Sequence, residues 1–240
     1  MKNYLATHPL SNLAWLAVPL LLLMVIMGRI FPTMAPEGFD SFIIAFEFAK
    51  TPGDIQALFG GLTPEQIQQT DTGNFIDFAF MLTYCLFLFL FTKKAAILFQ
   101  KKFLWMGIPL ILVILGADFL ENLKLLSITE IYSQQENTAP LNPLLQQLHV
   151  ITWIKWGGLA AVFVLLFFGL EKYRMWHWIA MAILWFPVAT GFWALGNQPH
   201  ALNVFTLSVF TSFGALLVYS IGYKRSGYVP DRTSRRMKTT

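Results

Sequence analysis

Charged residues are scarce in this sequence of 240 residues, and their scarcity excludes most classes of soluble protein. Lys, Arg, Asp and Glu together make up 12% of the chain, and hydrophobic residues make up 56%. Soluble domains average about 25% charged and about 45–50% apolar residues, so this composition cannot cover a soluble surface. It indicates a polytopic membrane protein and excludes a disordered chain and a conventional soluble enzyme.

Cysteine is nearly absent, and the common motifs of nucleotide and metal chemistry do not occur. The single cysteine, Cys85, lies in an apolar run and can form neither an intrachain disulfide nor a Cys-based metal site. The sequence has no phosphate-binding loop, dinucleotide fingerprint or serine-nucleophile elbow. His149, His200 and Asp118 could in principle ligate zinc, but their spacing matches no usual ligand pattern. We therefore expect no cofactor and no metal.

Six apolar stretches are long enough to cross a bilayer, which needs about 20 residues of helix. Lys2 precedes the first stretch, and Lys and Arg cluster after the second, fourth and sixth, so all these basic residues fall on one side. The positive-inside rule makes that side cytoplasmic and predicts a multi-pass inner (cell) membrane protein with cytoplasmic N- and C-termini. The net charge of +4 thus reflects topology, and we expect no nucleic-acid partner. The predicted spans are 12–31, 74–92, 103–125, 148–170, 175–195 and 201–223.

These spans predict an all-α fold, a polytopic helical bundle with short extracytoplasmic lid helices. A single six-helix transmembrane domain covers 1–223, with an extracytoplasmic helical insert at about 32–73, and a basic cytoplasmic tail covers 224–240. Within the insert, the apolar stretch 41–50 is too short to span and predicts an interfacial or re-entrant helix.

Three helix starts are predicted outside the membrane. Thr51 and Thr63 each place a hydroxyl cap before a proline, which predicts two short helices in the insert. Ser127-x-x-Glu130 has the form of a capping box and predicts another helix start beyond the third span.

Three spans carry an ionisable residue at the same depth. Asp77, Asp118 and Lys155 each lie 16 residues from the charged residue at the cytoplasmic end of their span, which is about 24 Å of helix. Arg29 in the first span lies near that level. Ionisable groups in a membrane tend to face one another or a wet cavity, so we expect these residues to meet in the outer-leaflet half.

Further polar and aromatic groups accompany these charges. Asp118, Glu121 and Asn122 share one helix face, and Trp153 and Trp156 flank Lys155. The surplus of acids favours a functional site, although a structural ion-pair network is the alternative. Carboxyl groups held close together can retain a proton for acid–base chemistry. The predicted catalytic pair is Asp118 and Glu121, and the predicted binding residues are Asp77, Tyr84, Asn122, Lys155, Arg29 and Trp153.

The ordered set of these features resembles a group of small uncharacterised bacterial polytopic membrane proteins. The similarity covers residues 42–170 and implies that the matching residues act as one site, without implying a reaction. The residues that carry it are Thr51-Pro52, Asp77 with Tyr84, Asp118-x-x-Glu121-Asn122 and Lys155.

Three classes of function remain open. The first is a membrane enzyme that performs acid–base chemistry on a lipid or isoprenoid-like small molecule. The second is a small proton-coupled transporter; the uninterrupted apolar spans speak against it, because transporters often have broken helices. The third is a non-catalytic lipid-binding or assembly subunit, whose charges would dock a second copy in a homo-oligomer or a partner membrane subunit. In all three, membrane lipids surround the protein.

Overall fold

The computed structural model describes residues 7–134, 141–172 and 175–224, so most of the predicted tail lies outside the described residues. All regular structure in this part of the chain is helical, and six helical segments are long and apolar enough to cross a membrane. The predicted all-α fold with six spans is confirmed, and the protein is a multi-pass membrane protein. The helices are α1 (Ala17–Ile30), α2 (Phe42–Glu47), α3 (Pro52–Phe59), α4 (Pro64–Leu98), α5 (Gly107–Gln134), α6 (Leu141–Gly169), α7 (Met175–Ile183), α8 (Phe186–Ala194) and α9 (Pro199–Gly222), with 3-10 helices at Ser11–Leu16 and Lys102–Met106.

The second and third spans are longer than a bilayer requires. Helix α4 has 35 residues and α5 has 28, which correspond to about 52 Å and about 42 Å, against about 30 Å of hydrocarbon. The extra turns lie at the end of the bundle that carries residues 32–63, which we call the insert end. The opposite end, which carries the connection 99–101, is the loop end.

At two of the three predicted helix starts, the structure does not form the separate helix that the sequence predicts. Thr63 does cap a helix, but that helix is α4 itself and not a separate short one. Ser127 starts no helix, because α5 runs through it and its hydroxyl donates to the carbonyl of Leu123, 2.9 Å away. Only Thr51 begins a short helix, α3, where Asp54 completes the capping box.

The stretch 41–50 forms α2, a helix of six residues that is buried in the protein. Phe59 of α3 packs edge-on against Phe42 and Phe46, with ring centroids 5.7 Å and 5.1 Å apart. These rings belong to an apolar cluster that also contains Leu125 of α5 and Leu148 of α6. This packing draws the insert into the bundle and buries the last residue of α2, Glu47.

Three pairs of polar side chains fix the register of α4 against α5. As residue numbers rise along α4 they fall along α5, as two antiparallel helices require. An unsatisfied polar group in hydrocarbon costs several kcal/mol, so sliding one helix past the other would be costly. The pairs are Asp71 with Thr129, Asp77 with Asn122 and Tyr84 with Asp118.

Helix α6 approaches α5 closely at one glycine. A Cβ atom added to Gly158 would lie 2.6 Å from Cγ1 of Ile114, whereas one added to Gly157 would meet nothing within 4 Å. Of these two neighbouring glycines, only Gly158 therefore lies at a close contact between α5 and α6.

The fifth span is interrupted, so the expectation of uninterrupted spans is wrong. It consists of α7 and α8, which are separated at 184–185. Pro187 near the start of α8 has no N–H to give to the carbonyl of Ile183 one turn earlier. The hydroxyl of Ser212 in α9 donates to that carbonyl instead, at 3.3 Å. Proline thus explains the break, and a neighbouring helix donates the hydrogen bond that the carbonyl of Ile183 would otherwise lack.

Helix α1 is the least buried of the six spans. It packs mainly on α4, whereas the 3-10 helix Ser11–Leu16 before it packs on α9 at the loop end. The ammonium group of Lys94 in α4 lies 3.4 Å from the carbonyl oxygen of Pro9. These contacts hold the first span at the loop end, and the span as a whole is less buried than the other five.

Candidate ligand site within the membrane

Four helices bring ionisable side chains to one place in the bundle. The chain crosses the membrane back and forth through α4, α5 and α6, and α2 adds a residue from the insert. Every residue of the resulting group is buried, with at most 8% of its surface exposed. The members of this charged cluster are Glu47, Asp77, Tyr84, Asp118, Glu121, Asn122, Thr152, Lys155 and Trp156.

Lys155 is the one cation of the charged cluster, and it contacts three carboxyl groups. Its Nζ lies 3.0 Å from Oε2 of Glu47 and 3.4 Å from Oδ1 of Asp118. Its closest partner is Oε2 of Glu121. One ammonium therefore shares its charge among three carboxyl groups.

The carboxyl groups of Asp77 and Asp118 are each oriented by a donor from the neighbouring helix. Asn122 donates from its amide to Oδ2 of Asp77 over 2.7 Å, and the Tyr84 hydroxyl donates to Oδ2 of Asp118. The other oxygen of Asp118, Oδ1, accepts no hydrogen bond from any described residue. Asp118 therefore has one oxygen that Tyr84 fixes and one that forms an ion pair with Lys155 without accepting a hydrogen bond.

Glu47 couples the insert to the bundle. The indole N–H of Trp156 donates to its Oε2 over 2.9 Å, and the Thr152 hydroxyl lies 3.0 Å from its backbone carbonyl oxygen. Burial raises the pKa of the Glu47 carboxyl group, and the adjacent Lys155 opposes that rise. The ion pair with Lys155 places this residue of the insert in the charged cluster.

A cavity of about 240 Å³ adjoins the charged cluster. Most of its wall is apolar and comes from α1, α6 and α9, including Leu20, Leu159 and Leu217. The acidic and basic groups form one part of this wall. The lining members of the charged cluster are Glu47, Asp77, Tyr84, Asp118, Lys155 and Trp156.

The cavity reaches the lipid-facing surface between α1 and α9. Three of its lining residues are also exposed on the outside of the bundle: Leu21 by 59%, Met24 by 42% and Phe210 by 37%. These residues stand on the two helices that flank the opening. The wall of the cavity therefore extends from the charged cluster to the outside of the bundle at α1 and α9.

The structure places the predicted site residues in three positions. Glu121 and Asn122 belong to the charged cluster but do not line the cavity. Arg29 is exposed and joins no ion pair among the described residues. Trp153 is half-buried and stacks on Phe205, with ring centroids 5.8 Å apart, outside the cavity wall. The predicted residues that line the cavity are Asp77, Tyr84, Asp118 and Lys155.

Sequence reasoning did not assign Glu47, Thr152 or Trp156 to the site. Thr152 stands three residues before Lys155 on the same helix face, so helical spacing could have identified it. Trp156 was recognised only as a neighbour of Lys155. No local pattern shows how deeply α2 enters the bundle, so Glu47 had no comparable signal.

The remaining sequence candidates lie apart from the charged cluster. His149 packs edge-on against Trp153, with ring centroids 6.3 Å apart, and His200 is exposed. The described ranges contain no group of three His, Cys, Asp or Glu side chains placed to hold a metal ion. The hydroxyls of Thr190 and Ser208 bond to each other over 2.9 Å and link the last two spans.

Bundles of membrane helices host many unrelated functions, so the fold alone decides none of them. What distinguishes this bundle is a buried cluster of carboxyl groups beside an apolar cavity that opens to lipid. No family model, no curated protein and no solved structure matches this chain.

Proposed function

We propose that this protein binds a lipid-like amphiphile in the cavity and performs acid–base chemistry on its head group. The observation that supports this proposal is the position of Glu47, Asp77 and Asp118 in the wall of an otherwise apolar cavity. A concave apolar site with a few convergent polar groups is the usual form of a small-molecule site. The apolar wall would take the tail and the charged cluster would take the head group.

Asp118 is the residue that we place at the proton transfer. It lines the cavity, its Oδ1 accepts no hydrogen bond from the described residues, and Tyr84 holds its other oxygen. In the proposed step, Oδ1 takes one proton from the head group and returns it to another atom of the same molecule, which converts the ligand into an isomer. Glu121 is bonded to Lys155 and Thr152 behind the wall, so its proposed role is to position Lys155.

The size of the cavity indicates that only part of the ligand enters it. Its volume is about 240 Å³, and sites that enclose a whole small molecule usually measure about 300–1,000 Å³. The rest of the tail would extend through the opening between α1 and α9 into the bilayer.

The proposed orientation follows from the basic residues at the loop end. Lys93, Lys94, Lys101 and Lys102 lie in or beside the connection between α4 and α5, and the positive-inside rule favours a cytoplasmic location for such connections. The protein would then lie in the inner (cell) membrane with cytoplasmic termini. The charged cluster would lie in the outer-leaflet half.

Two features weigh against a proton-coupled transporter. Hydroxyls of α9 are bonded within the bundle: Thr206 donates to the carbonyl of Asn203 at 3.1 Å, and Ser212 donates to Ile183. The interrupted fifth span is similar to the broken helices of transporters, but no residue of α7 or α8 lines the cavity. The break therefore contributes nothing to the proposed site.

The test compares lipid extracts from cells that produce wild type, Asp118→Asn or Asp71→Asn at matched protein levels, by untargeted mass spectrometry after a chromatographic separation that resolves isomers. Asp71→Asn is the matched control because Asp71 pairs the same two helices but does not line the cavity. We expect a lipid species to change in amount with wild type and the control but not with Asp118→Asn. Identical extracts would contradict the acid–base proposal and leave a non-catalytic lipid-binding subunit.

A further inference from the structure

The charges around the cavity indicate which class of head group it can bind. Three carboxyl groups and one ammonium line the wall, and Glu121 stands behind the ammonium as a fourth acid. The ammonium of Lys155 is already in contact with three of these acids. The lining residues therefore offer acidic groups in excess and no second cation.

An anionic head group fits this wall poorly. A phosphate or carboxylate would approach Glu47, Asp77 and Asp118 in surroundings of low dielectric constant, where repulsion between like charges is strong. The only lining cation that could compensate it would have to leave its present partners.

A cationic head group fits the same wall well. It would add positive charge to a wall whose three carboxyl groups have one ammonium between them, and the aromatic rings of Phe80, Tyr84 and Phe213 also line the cavity. The face of an aromatic ring attracts a cation, more strongly where water is excluded.

We infer that the cavity binds a single-chain amphiphile with a cationic head group, such as a protonated long-chain amine. This inference rests on the proposed function, because it names the ligand class of the same cavity. With a protonated amine, the first half of the proton transfer would break one N–H bond, form an O–H bond at Oδ1 of Asp118 and leave the amine neutral. The second half would break that O–H bond and return the proton to another atom of the head group.

The same excess of acids predicts a pH dependence. If every group of the charged cluster were ionised, four carboxylates and one ammonium would leave three uncompensated charges, which is costly in a buried site. The empty site would hold protons in their place, and a bound cation would displace them. The titratable groups that face the site are Glu47 on α2, Asp77, Tyr84 and Cys85 on α4, Asp118 and Glu121 on α5, and Lys155 on α6; the lining residues of α1 and α9 include no titratable group.

The experiment is native mass spectrometry of the purified protein in an uncharged maltoside detergent. The probes are tetradecyltrimethylammonium, tetradecanoate and tetradecanol, which share one chain length and differ only in the head group. Gly214→Trp tests the location, because Gly214 lines the cavity and a Cβ atom there meets nothing within 4 Å. Asp118→Asn tests the charge, and Asp71→Asn is its control.

We expect wild type and Asp71→Asn to retain the ammonium probe about tenfold more than tetradecanoate. Retention should rise from about pH 6 to about pH 8 as bound protons become easier to displace. Asp118→Asn should reduce the preference, and Gly214→Trp should lose all three probes.

Two results would overturn the inference, and they can be told apart. Retention that Gly214→Trp abolishes but that is equal for the three probes, or greater for tetradecanoate, would refute the cationic head group and leave the cavity as a ligand site. Retention that Gly214→Trp does not change would show that the probes bind elsewhere, and the proposed function would fail with the inference.

Discussion

Replacing Lys155 with methionine tests how strongly the charged cluster depends on its one cation. Methionine keeps an unbranched side chain and removes the ammonium group, which contacts Glu47, Asp118 and Glu121. The side chain of Lys155 is 6% exposed and that of Glu121 is fully buried, so water cannot replace the lost contacts. Removing one partner of a buried ion pair typically costs about 3–5 kcal/mol. At about 2–4 °C per kcal/mol for a chain of this size, we expect Tm to fall by about 6–20 °C.

The assay is thermal unfolding in one detergent, followed by tryptophan fluorescence. Lys124→Met is the matched control, because Lys124 is a half-buried lysine of the adjacent span that takes part in no salt bridge among the described residues. Its Tm should stay within about 2 °C of the wild-type value. The double variant Glu121→Gln/Lys155→Met should lose less stability than the two single variants summed, because the residues are in contact. A Tm for Lys155→Met as close to wild type as that of the control would refute this account of the cluster.

Two further predictions concern Glu47 and the contact between α5 and α6. Because burial raises the pKa of Glu47, the folded state binds its proton more tightly, and the stability it contributes falls as pH rises above 4.5, the ordinary value. The Tm of Glu47→Gln relative to wild type should therefore increase from about pH 5 to about pH 8; a constant difference would contradict this. Gly158→Ala places a Cβ atom 2.6 Å from Ile114 and should cost about 1–3 kcal/mol in thermal unfolding, whereas Gly157→Ala should be neutral. Equal effects would contradict the close approach.

The spans and the core of the site follow from the sequence for one physical reason. Hydrocarbon tolerates few charges, so the long apolar stretches mark the spans and the rare charges within them mark positions that must find partners. Asp77, Asp118 and Lys155 stand equally far from the ends of their spans, and the structure brings the last two into direct contact. Depth along a helix is a local property, and a single sequence reports it well.

The features that the sequence did not reveal depend on contacts between segments. The polar first turns of α4 and last turns of α5 lie beyond the apolar stretches, so hydropathy does not show where these helices end. The burial of α2 depends on three phenylalanine rings that meet only in the folded chain. Pro187 did signal the break in the fifth span, but the hydroxyl that satisfies the freed carbonyl comes from Ser212 on another helix.

A role in holding the helices together explains some residues of the charged cluster but not others. Glu121 is fully buried and bonded to Lys155 and Thr152 away from the cavity, which is sufficient to fix α5 against α6. Asp118 and Asp77 exceed that requirement, and both line the cavity. Surplus acids in a membrane destabilise a protein unless something compensates them, and functional sites are where such a cost is retained. Lys155→Met should therefore mainly lower the stability of the protein, and Asp118→Asn should mainly weaken its preference for the ligand.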